Sequence, residues 1–436
     1  MGKSHSLTAP HPIAVVGAVT VSAGSALTTI LVLLFASNVF DPGGALGLKY
    51  VVFFLVCVSS VWASKYVDLS SAEIIGGLIL FVIWPCWGLL FGAVRKGDVS
   101  VGASQVTPFL FGVVLAIVLS VFDQHRPLRI FYGCLFSLAI VVIVSFVLIY
   151  LLPGSPAGSA LLDMLMRLQE KEGYFGVQSL GDLEIPIIYF GSTLFLVPAF
   201  VYYLYVGKMV RAVVVLVAIG ATFSKAGISI AVLFGAYYSL SVLFSRSAPG
   251  VRKRPRSHLG SKLGKFLPIV LFGGLASAMI LSIPSFSSAI RDAWTGESET
   301  ARVRIGHFHS LVDLFISHPS YLIVGQGAGV PFYSVGESSY VQNIEIDHLN
   351  AIRKFGLPWF AFFSAVVFYS ARRLILAGDA ERRAFGLALI SIYFAAGTNP
   401  VLTSPLFIIV MTLSYFAQRG QFEKSSQCSA GHLQWG

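Results

Sequence analysis

Apolar stretches of about 17–25 residues recur from end to end of the 436-residue chain, each long enough for a helix to cross roughly 30 Å of hydrocarbon. A membrane barrel would instead show alternating segments of about ten residues. The composition agrees, with 56% of residues hydrophobic and 11% charged, against roughly a quarter charged in a soluble domain. These features predict an all-α polytopic membrane protein. About twelve spans are expected, beginning near Ile13, Leu48, Ile74, Pro108, Ile130, Ile187, Ala212, Ala226, Phe266, Leu357, Phe385 and Val401.

The formal charge of +10 sits largely in loops. RSAPGVRKRPRSHLGSKLGK, Arg246 to Lys265, holds seven Lys or Arg and no acidic residue. Between two apolar spans this reads as a cytoplasmic loop rather than a nucleic-acid patch, because Lys and Arg stay on the cytoplasmic side of a membrane. Lys65, Arg126, Arg129, Lys208, Arg211, Arg372, Arg373, Arg382 and Arg383 fit the same orientation, and only Arg95 and Lys96 oppose it. The expected organisation is a cytoplasmic N-terminus (1–12), nine spans (13–283), a large outer loop (284–355), three spans (356–417) and a cytoplasmic tail (418–436). The first nine spans include an outer loop at 153–186 and the basic loop at 246–265. In the first outer loop, Leu161, Leu162, Leu165 and Leu168 fall on one face of a short helix suited to the membrane surface. The four cysteines have no metal-ligand spacing, and no metal or cofactor is expected.

The larger outer loop, about seventy residues, is where function is expected, since long loops in compact architectures are usually functional. In ARVRIGHFHSLVDLFISHP, Phe308, Leu311, Val312 and Phe315 recur at helical spacing, and Arg304 lies on their face. An inward guanidinium is costly unless an anion meets it. That anion is either a carboxylate of the same loop or a phosphate, whose oxygens its planar fork matches. Arg302 points elsewhere, toward Glu299 or solvent.

Next comes YLIVGQGAGVPF, whose Gly325, Gly327 and Gly329 suit a tight turn and close backbone approach. It lacks the flanking elements of a nucleotide fingerprint. In EIDHLNAIRKFG, a helix over 344–355 would put Glu345 and His348 on one face with Leu349 and Ile352, and would point Asp347 away. A carboxylate on a half-buried face tends to a raised pKa, which suits a general base. Arg353 and Lys354 would favour the helix dipole or meet lipid headgroups, and Gly356 would end the helix. Finally, ATFSKAG divides a long apolar stretch at Ser224–Lys225. That leaves Lys225 on the outer side, as a snorkelling residue or a second cation facing the loop.

The order of Arg304, Pro319, VGQGAG and Glu345, with ten residues between Glu345 and Gly356, resembles the outer-loop pattern of bacterial O-antigen polymerases and O-antigen ligases. ATFSKAG resembles that superfamily's Ser-Arg-Gly turn, with Lys225 in place of the arginine, and TNPVLTSP is similar to its late Asn-Pro turn. The resemblance covers roughly residues 215–415 and the span count.

It implies a metal-independent glycosyltransferase of the C type at the periplasmic face of the bacterial inner membrane, with both termini cytoplasmic. The implied partners are an undecaprenyl-pyrophosphate-linked glycan donor and acceptor, membrane lipids and a chain-length regulator, with no nucleic acid. Arg304, Lys225 and Arg302 would then hold pyrophosphate, and Glu345 or His348 would take the acceptor's proton. Ligases of the family carry histidine where this chain has Glu345, which favours a polymerase of O-antigen or exopolysaccharide repeats. The alternatives are a ligase moving a finished glycan to a lipid or protein acceptor and, from another class, a lipid-linked oligosaccharide flippase or transporter.

Overall fold

The computed structural model describes residues 13–431, apart from 43, 45–46, 67–69, 123–124, 153, 173–174, 181–182, 189–190, 223 and 245–298. The expected span near Phe266, the basic loop and the start of the large outer loop therefore lie outside the described residues. Helices dominate, as the apolar runs predict. Ile13–Phe40 (α1), Leu48–Ala63 (α2), Ser71–Leu78 (α3), Trp84–Val94 (α4), Val99–Leu119 (α5) and His125–Phe146 (α6) come first. Pro156–Glu172 (α7) and an antiparallel hairpin, Phe175–Leu180 (β1) with Leu183–Ile188 (β2), occupy the segment expected as the first outer loop. Leu196–Val206 (α8), Met209–Ala221 (α9) and Lys225–Phe244 (α10) follow.

Glu73–Val94, Val99–Leu119, His125–Ile149 and Leu357–Leu376 are long and apolar enough to cross a membrane. Several shorter apolar helices, among them Leu48–Ala63 and Met209–Ala221, pack with them. Outward apolar side chains such as Phe54, Val58, Val61, Ile83 and Leu90 stay exposed, as expected of surfaces solvated by lipid rather than water. At the centre stands α8, with every residue from Leu196 to Leu204 buried, because α6, α9, α10 and the later helix Ala380–Ala395 pack around it. An all-apolar helix belongs in such a position.

Boundaries moved where local chemistry outweighed hydropathy. Ile187 lies on β2, not in a span, and the helix after it begins only at Leu196. The span expected from Pro108 starts at Val99, because the Asp98 carboxylate accepts from the Ser100 and Val101 amides at 2.9 and 3.2 Å and caps the helix. Between α3 and α4 runs a π turn, Ile79–Ile83. Such a turn leaves carbonyls without their usual partners, and the Trp359 indole donates to Leu80 O at 3.3 Å. Where α9 gives way to α10, Ser224 Oγ accepts from the Gly227 amide at 3.2 Å, so the break falls in ATFSKAG.

The described part of the segment expected as the large outer loop, from Glu299 on, is itself folded. It contains Glu299–Ser317 (α11), Ser320–Val324 (α12), a hairpin of Phe332–Ser334 (β3) and Ser339–Val341 (β4), and Asp347–Phe355 (α13). Leu311, Phe332 and Ile344 form its own small core. The chain then returns to the bundle through Leu357–Leu376 (α14), Ala380–Ala395 (α15) and Pro405–Gly431 (α16).

Candidate functional site

On α11 the buried face is not the expected Phe308 face. Gly306, His307, Ser310 and Leu311 turn inward, while Phe308 is 48% exposed. The β3–β4 hairpin dictates this rotation. His307 Nδ1 meets Ser334 Oγ at 2.6 Å, Ser310 Oγ accepts from the Val335 amide at 2.9 Å, and Gly306 packs against the Gly336 backbone. Arg304 then lies at the edge of that face. Its Nε donates to Glu345 Oε2 at 2.7 Å and an Nη to Thr398 O at 3.4 Å. Arg302 points to solvent. Lys225 is the first residue of α10, and its side chain lies outside the described residues.

Helix α13 starts at Asp347, so Glu345 precedes it rather than sharing its face with His348. Asp347, expected to point away, is fully buried. Its carboxylate accepts from the Leu402 amide, and its own N–H donates to Ala396 O at 3.2 Å. The turn between α15 and α16 is thereby closed against α13. That turn brings Thr398 O to Arg304 and Gly397 against the His348 ring. His348 also sits between Phe360 and Tyr393, with ring centroids at 5.7 and 4.7 Å. Burial lowers its pKa, offset in part by the Tyr393 carbonyl, so the imidazole is neutral at pH 7. Its Nε2 has no hydrogen-bond partner among the described residues.

Arg353 and Lys354 meet no headgroups, for both are buried. Arg353 donates to Gln326 Oε1, Val330 O, Gln342 O and Asn350 Oδ1 at 2.8, 2.8, 2.6 and 2.9 Å, with Phe332 4.7 Å from its guanidinium. Lys354 Nζ donates to Asn343 Oδ1 at 2.6 Å, and the Gln105 side-chain amide joins that oxygen at 3.2 Å. Burial pushes the Lys354 ammonium down, with Arg353 pushing the same way and Asp347 opposing. Burial raises the Asp347 carboxyl, opposed by Lys354 and by the Leu402 amide.

The network docks on the glycine run. Gly325, Gly327 and Gly329 all have positive φ, and a Cβ on each would strike the backbone of Lys354, Gly92 and Asp98 respectively. Gly356, also at positive φ, crosses the Ile323 carbonyl in the same way. Arg95, the cation on the unexpected side, holds this run by donating to Gly325 O and Gln326 O at 2.6 and 2.8 Å, with Tyr321 4.4 Å from its guanidinium.

Of the residues singled out from sequence, Arg304 and Glu345 are joined directly, and His348 stands on the same 396–402 turn. No hydrogen bond links His348 to Glu345 among the described residues. The residues missed were Asp347, Arg353, Lys354 and Thr398. One signal was present for two of them, since Asp347 and Lys354 recur with Asn350 at helical spacing once the helix starts at 347. Comparison with family models, curated proteins and solved structures found no match to this chain.

Proposed function

We propose that this chain is a membrane glycosyltransferase of about twelve spans in the bacterial inner membrane, with both termini cytoplasmic. It joins undecaprenyl-pyrophosphate-linked oligosaccharide repeats into O-antigen or a related exopolysaccharide at the periplasmic face. The supporting observation is the half-exposed pairing of Arg304 with Glu345, beside a neutral His348, where a folded loop meets the end of a helical bundle. Arg304, with Lys225 as a second cation, holds the donor pyrophosphate and offsets the charge that develops as it leaves. Glu345 takes the proton of the acceptor hydroxyl, which attacks the anomeric carbon from the face opposite the pyrophosphate and inverts it.

Cells lacking their own polymerase but supplied with the matching repeat pathway test this. The wild-type chain should restore a polysaccharide ladder on gels, and Glu345→Gln and Arg304→Ala should collapse it toward a single repeat, with loss of the base costing about 10²–10⁴ in rate. Full ladders from both variants would remove these residues from the mechanism. The neutral imidazole of His348 favours one second reading, a ligase in which His348 is the base. In that case His348→Ala, and not Glu345→Gln, abolishes transfer of finished chains.

A further inference from the structure

Arg304 and Arg353 are held in opposite ways. Arg353 is fully buried and donates to acceptors supplied by Gln326, Val330, Gln342 and Asn350. Arg304 keeps 34% of its side chain exposed, and its partner Glu345 keeps 46%. The remaining contact of Arg304, to Thr398 O, is long at 3.4 Å. Its third guanidinium nitrogen has no partner among the described residues. The Arg353 set is fixed, whereas an exposed ion pair contributes little to stability and is open to exchange with a stronger anion.

Glu345 is also placed to leave without unfolding anything. It lies in irregular chain between two anchored residues, Ile344 in the loop core and Asp347 under the 396–402 turn. Thr398 O comes from a turn closed independently by Asp347, so the guanidinium keeps that acceptor when the carboxylate swings away. A diphosphate offers several charged oxygens to the fork where a carboxylate offers two.

We propose that Glu345 is the resting occupant of the anion site, and that the pyrophosphate group of the arriving donor displaces it from Arg304 and so frees it for the acceptor hydroxyl. This rests on reading Arg304 as the pyrophosphate clamp. Donor binding and exposure of the base then become one event, and the base is kept from other work until a donor is present. By linkage, Glu345 weakens anion binding by the same factor by which the anion weakens the hold on Glu345.

The test is inorganic pyrophosphate binding, without divalent metal, to the full-length protein in nanodiscs by titration calorimetry. Glu345→Gln should bind about 2–5-fold tighter than wild type, the range an exposed ion pair spans. Arg304→Ala should show no saturable binding, and adding Glu345→Gln to it should restore none. Glu337→Gln is the control: it removes the same charge from the same loop, at a residue that pairs with His307 at 3.2 Å rather than with Arg304. It should bind as wild type does.

A Glu345→Gln protein no tighter than wild type, or no tighter than Glu337→Gln, would overturn the exchange. Saturable binding that persists in Arg304→Ala would do the same. The ladder assay separates this from the enzymatic reading. The predicted gain in binding with no wild-type ladder sinks the polymerase and supports the exchange, and ladders without the gain do the reverse.

Discussion

Asp347 and Leu402, 55 residues apart, close the turn between α15 and α16 onto the first residue of α13 through one buried hydrogen bond. The same carboxylate is the buried anion facing Lys354. Asp347→Ala leaves the Leu402 amide without its acceptor and Lys354 without its counter-charge. Removing one partner of a buried ionic network costs about 3–5 kcal/mol. Thermal unfolding of the purified protein in detergent should register that loss, and Asp347→Asn, which keeps an acceptor, should lose less.

Arg353→Lys is not conservative here. A lysine has no planar fork to serve Gln326, Val330, Gln342 and Asn350 together. Each buried acceptor left unmet costs about 1–3 kcal/mol. We expect less folded protein by size exclusion and a lower unfolding midpoint, with Arg304→Lys changing neither.

Gly327→Ala places a methyl into the Gly92 backbone at φ 108°, where only the main chains can yield. Folded protein should fall sharply, with a backbone cost of order 1–3 kcal/mol before the clash is counted. Gly77→Ala, in a helix with open space around it, should be neutral or stabilising by up to about 1 kcal/mol. Expression and thermal melts of the two variants give the comparison.

His348 sets a pH dependence. Its folded pKa lies below the unfolded value of about 6.5. As pH falls through that value the unfolded chain binds the proton first, so stability is present above it and declines below it. His348→Gln should flatten this acid limb in melts recorded between pH 7 and pH 5. An unchanged slope would mean the imidazole titrates alike in both states.

Hydropathy made the bundle legible because lipid demands long apolar runs whatever their partners. The loop was less legible for a definite reason. The residue before α13 is Ile346, whose side chain makes no capping hydrogen bond, so nothing in the sequence marks the helix start. Beginning the helix at 344 instead of 347 made Glu345 a helical neighbour of His348 and sent Asp347 outward. In the structure the stripe of Asp347, Asn350 and Lys354 faces the protein. Its partners Asn343 and Leu402 lie outside α13, and local periodicity is blind to such pairings. Spacing put Arg304 on the Phe308 face and left its anion open between a carboxylate of its own loop and a phosphate; the anion in contact is Glu345, the carboxylate expected to act as base.

Arg95 has a consequence for how the protein is made. Its guanidinium must come to rest on the same side of the membrane as Gly325 and Gln326, yet those carbonyls lie 230 and 231 residues further along. At ribosomal speeds of roughly 5–20 residues per second, the helix carrying Arg95 waits many seconds in the translocation machinery or bilayer with no permanent acceptor. The seating of that helix is therefore provisional during synthesis, and a ribosome that stops short of the glycine run releases a chain whose Arg95 lacks the carbonyls that hold it.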